Sequence, residues 1–141
     1  MFSGIYHHYP WIWNRAILPN NERLREFWDF MEDHPAMLGH EVKTRHNYKS
    51  HAVPVGMHGD EVPIVGLGKG WTKLMATFSW ISLVGLGSTK DTMFYIWSVF
   101  TALCKSGDCD GTLHAFFRIM AWSFKAMWLG KWPMEDWNGK K

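Results

Sequence analysis

The sequence predicts an α/β fold of the α+β kind, with a three-stranded antiparallel sheet, a helix before it and a long amphipathic helix after it. Three observations carry this. Two apolar runs rich in β-branched and aromatic residues, over 71–84 and 92–103, are separated by the short Gly85-Leu86-Gly87-Ser88, a link that suits an antiparallel pair. A third, shorter run from Ala52 to Met57 precedes them. Finally, Leu113, Phe116, Phe117, Met120, Phe124, Met127 and Trp128 recur at the spacing that lines one face of a helix.

Taken in order, residues 1–50 form an N-terminal aromatic arm and helix, and residues 51–141 form the α/β part, within one domain overall. Met1 to Pro19 is aromatic and proline-bounded with no sustained period, which predicts an irregular arm. Asn20-Asn21 then open a helix, with Asn as cap, Glu22 in the first turn and Leu24, Phe27, Trp28 and Met31 on one face. His34-Pro35 stops it, because the residue before proline avoids helical angles. The polar, basic stretch from Gly39 to Ser50 reads as loop. Pro54 assigns the Ala52–Met57 strand to a sheet edge or a bulge, since proline cannot donate to a ladder, and His58-Gly59-Asp60-Glu61 reads as its polar end. Val62 to Val65 continues extended, and Gly66, Gly68 and Gly70 around Lys69 make a turn. Trp97 to Leu103 suits strand or helix equally. Asp110 is placed to cap the last helix and Gly130 to stop it.

The chain of 141 residues is long enough to bury a real core. Ten Trp, nine Phe, four Tyr and nine Met point to a core of large, irregular side chains. That many indoles exceed what such a domain buries, so Trp132 and Trp137 in the tail are expected to face a partner. A formal charge of +2 is too mild to argue nucleic-acid binding alone. The N-terminus lacks a charged and an apolar signal region, and Cys104 and Cys109 form no disulfide framework. An intracellular protein, nuclear or cytoplasmic and not secreted, is expected. No membrane span is expected either, because Lys73, Lys90 and Asp91 interrupt the apolar region short of the roughly 18 uncharged residues a span needs.

Asp60 is the leading candidate for chemistry, at a strand end opening into a loop, where catalytic carboxylates commonly sit. Alternation puts His58 and Asp60 on one strand face and Glu61 on the other. A magnesium site would use Asp60 first, with His58 in a supporting or substrate role, since hard cations prefer oxygen. The alternative is an ordinary turn in which Asp60 bonds its own backbone after Gly59. Gly66-Leu67-Gly68-Lys69-Gly70 fails the phosphate-loop pattern, with Trp71 where a hydroxyl belongs, and reads as a turn. Cys104, Cys109 and His114 lack the fourth ligand and the paired spacing of structural zinc. Lys69, Lys73, Arg118 and Lys125, with Lys90 and Lys131, interleave with aromatics in a way that permits base stacking and backbone contact.

The order of elements, a strand bearing Asp60, two further strands and a long helix, resembles the N-terminal half of an RNase H-like core of DDE-type transposases and integrases. Glu26-Phe27-Trp28-Asp29-Phe30-Met31 with Asp33-His34-Pro35, His58-Gly59-Asp60-Glu61-Val62-Pro63, Gly68-Lys69-Gly70-Trp71 and Met120-Ala121-Trp122-Ser123-Phe124-Lys125 also resemble repeat-derived, uncharacterised reading frames of dinoflagellate algae, which usually carry Gly where this chain has Glu61. The resemblance implies a mobile-element origin, with Asp60 the first metal-binding carboxylate, Mg²⁺ as cofactor and DNA as partner. It also implies a second Asp on a following strand and a third carboxylate on a later helix, both expected beyond the end of this chain. Glu135 and Asp136 follow the helix with no strand to position them. One carboxylate cannot hold two ions about 4 Å apart, so the expectation is a truncated, inactive fragment that binds Mg²⁺ weakly or not at all. The alternatives are a non-catalytic subunit packing its aromatics on a protein partner, or a nucleic-acid binder.

Overall fold

The computed structural model describes residues 2–64, 73–107 and 110–141. The chain divides into two compact units, one of residues 1–61 and 77–98 and the other of residues 62–76 and 99–141. The architecture is mixed helix and strand, with one open three-stranded antiparallel sheet and a C-terminal helix.

The N-terminal stretch is helical, contrary to the irregular arm expected. It comprises α1 (Phe2–His8), α2 (Pro10–Ile12) and a π-helical turn over Trp13–Ile17. The period is hidden because Tyr9 leaves helical angles (φ −134°) just before Pro10, breaking the segment into pieces too short to show a repeat. Packing holds the pieces instead. Tyr6 meets Trp13 edge-on at 5.2 Å, and Ala16 and Ile17 are buried.

Helix α3 (Asn21–Phe30) forms as expected, with the Asn20 side chain accepting from the Arg23 N–H at 2.8 Å. It buries Leu24 and Trp28 and ends at Phe30, ahead of His34. The basic stretch that follows is more ordered than a loop. It holds a 3₁₀ turn over Glu41–Thr44 around the buried Val42, then α4 (Tyr48–His51). Side-chain contacts tie α4 back to α3. Trp28 Nε1 donates to the Ala52 carbonyl at 2.8 Å, and Lys49 sits between Asp29 (2.7 Å) and Glu32 (2.6 Å). Hydrogen bonds to these carboxylates push the Lys49 ammonium above its ordinary pKa.

Strand β1 runs from Val55 to Pro63, β2 from Leu74 to Ser82 and β3 from Met93 to Phe100, in the order β1-β2-β3. β1 is therefore an edge strand, the position Pro54 called for. It also extends through His58-Gly59-Asp60-Glu61, which had been expected to be its polar end. The Leu83 N–H donates to Pro54 O, and the Ile64 N–H to Lys73 O. Both bonds obey one register, which sets Gly59 opposite Phe78 and Asp60 opposite Thr77. Pairing with β2 overrides the polar composition of the segment. Trp71, expected to begin β2, lies outside the described residues, as do Lys69 with its glycines and Cys109. In the 97–103 stretch that suited either element, β3 continues to Phe100 and a 3₁₀ turn takes Thr101–Leu103.

The first unit centres on Trp80, whose indole stacks on Phe94 with ring centres 4.4 Å apart, and on Ile17, Leu24 and Val42. Helix α5 (Thr89–Thr92) links β2 to β3 through a capping box. The Ser88 N–H and hydroxyl both donate to Asp91 Oδ2, at 3.1 and 3.0 Å. These bonds, with Arg15 at 3.7 Å, hold the Asp91 carboxyl below its ordinary pKa. A lowered folded-state pKa adds stability that is present above the ordinary carboxylate value of about 3.9 and lost as pH falls through the folded value. Ser88→Ala should therefore lower the melting temperature at pH 7, and the gap to the unaltered chain should narrow in melts near pH 3. A gap of the same size at both pH values would mean that the cap does not depend on the Asp91 charge.

In the second unit α6 (Thr112–Leu129) is capped by Gly111 without a side-chain bond, so the cap expected of Asp110 is not made. Asp110 pairs with Lys105 instead, and the Lys105 N–H donates to Thr112 Oγ1 at 2.9 Å. Gly130 ends the helix as expected, at the left-handed φ of 64° that glycine takes without strain. The tail folds onto α6. Trp122 Nε1 donates to Glu135 O at 2.9 Å, and Trp122 and Trp137 meet edge-on at 6.2 Å. Phe116 is buried, whereas Leu113, Phe117 and Met127 are exposed. Among the described residues no helix is long and apolar enough to cross a membrane.

Candidate functional site

Asp60 lies inside β1, not where a strand opens into a loop. His58, Gly59, Asp60 and Glu61 are all exposed. The alternation read from sequence holds. A Cβ built on Gly59 would meet the Phe78 ring at 2.9 Å, so Gly59 and Glu61 share the face of Phe78, while His58 and Asp60 point to the other. Asp60 Oδ1 accepts the N–H of its neighbour Glu61 at 2.8 Å, and Asp60 O accepts from Thr77 Oγ1 at 3.2 Å. The own-backbone bond of the alternative reading is therefore made, but on an extended chain.

The register explains that bond. Pro54 O and Ile64 N, both at even-numbered positions, point towards β2. On a regular strand the backbone groups of Met57, Gly59 and Glu61 then point away from it, to the outer edge. Among the described residues no strand lies beyond β1. Asp60 satisfies one outward donor, and Pro63 has none to offer, so each shields an edge that could otherwise template another strand.

For a cation, β1 offers the Asp60 carboxylate and the His58 ring on one face. Among the described residues no group of three or more His, Cys, Asp or Glu side chains is placed to hold a metal ion. Magnesium takes about six oxygen ligands, so most would have to come from water or another molecule.

Of the basic residues, Lys73 and Lys125 are exposed in the second unit. Arg118 is engaged, its Nη2 donating to Asn138 Oδ1 at 2.9 Å and to Trp137 O at 3.4 Å, and so it braces the tail. Trp132 is 85% exposed, while Trp137 is partly covered.

Two features escaped the sequence reading. The Ser88–Asp91 cap was signalled by its Ser-x-x-Asp spacing. An open depression lined by Thr77, Phe78, Ser79, Thr89, Lys90, Met93 and Tyr95 had no sequence signal, because β2, α5 and β3 meet there only through folding. Its lining is mostly apolar, with hydroxyls and one ammonium but no carboxylate or imidazole, so it offers no acid–base pair. Neither a family model, nor a curated protein, nor a solved structure matches the chain.

Proposed function

We propose that this chain is a transposase-like half-domain of the RNase H-like (DDE) type that performs no phosphoryl transfer by itself, with Asp60 the relic of a first metal-binding carboxylate. Three antiparallel strands, the first bearing an exposed Asp, followed by a long helix, support the reading. The setting of Asp60 carries it. One oxygen is occupied by the Glu61 N–H, and β2 sets Thr77 opposite it where a second carboxylate would be needed. Another strand could supply that carboxylate only from the free side of β1. On this reading DNA would be met by Lys69, Lys73 and Lys125, Arg118 would brace the tail, and a completing protein segment would be required for chemistry.

A plasmid-nicking assay with Mg²⁺ or Mn²⁺ tests the proposal, with calorimetric titration of each ion. The expected result is no nicking by the unaltered chain or by Asp60→Ala, and at most weak ion binding by the unaltered chain. Metal-dependent nicking that disappears in Asp60→Ala would overturn it. One observation favours a second reading, a non-catalytic interaction subunit: Phe30, Leu38, Trp132 and Met134 are each more than four-fifths exposed, large apolar side chains of the kind a protein partner covers.

A further inference from the structure

The outer edge of β1 has a property independent of any catalytic ancestry: its centre is self-complementary. In an antiparallel pairing of two copies about a two-fold axis through Gly59, Gly59 faces the partner's Gly59 and Met57 faces the partner's Glu61. His58 then faces the partner's Asp60, and Asp60 the partner's His58. We propose that β1 pairs with β1 of a second copy of this chain in this register, joining the two sheets into one.

Backbone direction selects the register. Met57, Gly59 and Glu61 carry the outward N–H and C=O groups, as the bonds of Pro54 and Ile64 to β2 establish. Opposed about Gly59, these three residues exchange about six backbone hydrogen bonds, leaving His58 and Asp60 as the non-hydrogen-bonded pair, in which cross-strand side chains approach most closely. The side chains suit that pairing. An imidazole N–H meets a carboxylate on each side of the axis, and Gly59 brings no side chain to the axis, the nearest atoms to it belonging to Phe78 and Thr77 of its own sheet. Shifting the register by two residues would set the His58 side chains, or the Asp60 side chains, against each other across the axis, so charge argues for the register centred on Gly59.

The Asp60–Glu61 contact acts as a latch on this edge. In the single chain Asp60 Oδ1 holds the Glu61 N–H. On pairing, that N–H passes to the partner's Met57 carbonyl and the freed carboxylate turns to the partner's His58. The exchange replaces one local bond with two across the interface. It keeps the edge closed to strands that present no side-chain N–H opposite Asp60, which is selectivity for self.

Light scattering on the full chain at about 100 µM, a concentration that populates even a weak strand contact, tests this. A mass of twice 16.5 kDa is expected. His58→Asp sets carboxylate against carboxylate twice per dimer, and Asp60→Lys removes the acceptor of both cross-strand imidazole N–H bonds; each should weaken the dimer about tenfold or more. Mixing the two variants should restore the dimer, because each then meets its opposite charge. Amide exchange of the unaltered chain supplies a readout without substitution: Met57, Gly59 and Glu61 should exchange more slowly as concentration rises. A monomeric unaltered chain, a dimer indifferent to both substitutions, a mixture that stays monomeric or concentration-independent exchange at those amides would each overturn the proposal. None of these outcomes bears on nicking, so this proposal and the half-domain reading fail separately.

Discussion

Trp80→Ala is expected to cost about 3–5 kcal/mol of folding stability, the range for truncating a large buried aromatic. Trp80 is 1% exposed, and its ring lies nearly parallel to Phe94, at 15°. The loss therefore combines apolar burial, the ring pair and a cavity in the middle strand, whose two neighbours are both edges and cannot close over it. A domain of this kind holds only about 5–15 kcal/mol in all, so the substitution removes a large share. Urea unfolding followed by far-ultraviolet circular dichroism measures it without the ambiguity of ten indoles in a fluorescence signal. Trp132→Ala serves as control. That indole is 85% exposed, so its removal should stay within about 0.5 kcal/mol. A Trp80 cost below about 1 kcal/mol would place the core of the first unit elsewhere.

Legibility from sequence followed the range of the interaction that decides each element. The Asn20 cap of α3 and the Gly130 stop of α6 depend on neighbours within one turn, and both were readable. The β2–β3 pair was readable because a short link leaves few alternatives. Where a competing contact lay farther off, the local signal misled. Asp110 looked like a cap, but Lys105 draws it away. The arm before Pro19 lacked a period, yet Tyr6 against Trp13 and the burial of Ile17 hold it in helical turns. β1 continues past Met57 because β2 pairs with it as far as Ile64, and no local rule shows that. The candidate site divides in the same way. A period of two placed His58 and Asp60 on one face, but the bond from the Glu61 N–H depends on which amides the register turns outward. Arg118, chosen for its charge, is engaged by Trp137 and Asn138, residues 19 and 20 positions away.

Gly85→Ala should be the most damaging small substitution, costing about 2–3 kcal/mol, because its added methyl would fall on the backbone carbonyl of Ala16. A flexible side chain in the way could turn aside, but this carbonyl is held on both flanks. The Leu86 N–H donates to Arg15 O at 2.8 Å, and Ser82 Oγ donates to Ile17 O at 2.6 Å in a buried position. Ala16 and Ile17 are themselves buried. The chain leaving β2 and the π-helical turn before α3 thus approach at backbone distance, and only a residue without a Cβ permits it. Relief requires breaking one of the two flanking bonds, and the Leu86 bond is the less enclosed. Its amide should then lose exchange protection in Gly85→Ala before the rest of the unit does. Gly4→Ala provides the contrast, since nothing lies within 4 Å of its built Cβ and α1 should gain up to about 1 kcal/mol from the better helix former. If both variants shift the urea midpoint alike, the close approach at Ala16 is absent. If Gly85→Ala alone destabilises and Leu86 exchanges early, the backbone approach of the N-terminal turn to the end of β2 is what the missing Cβ of Gly85 makes possible.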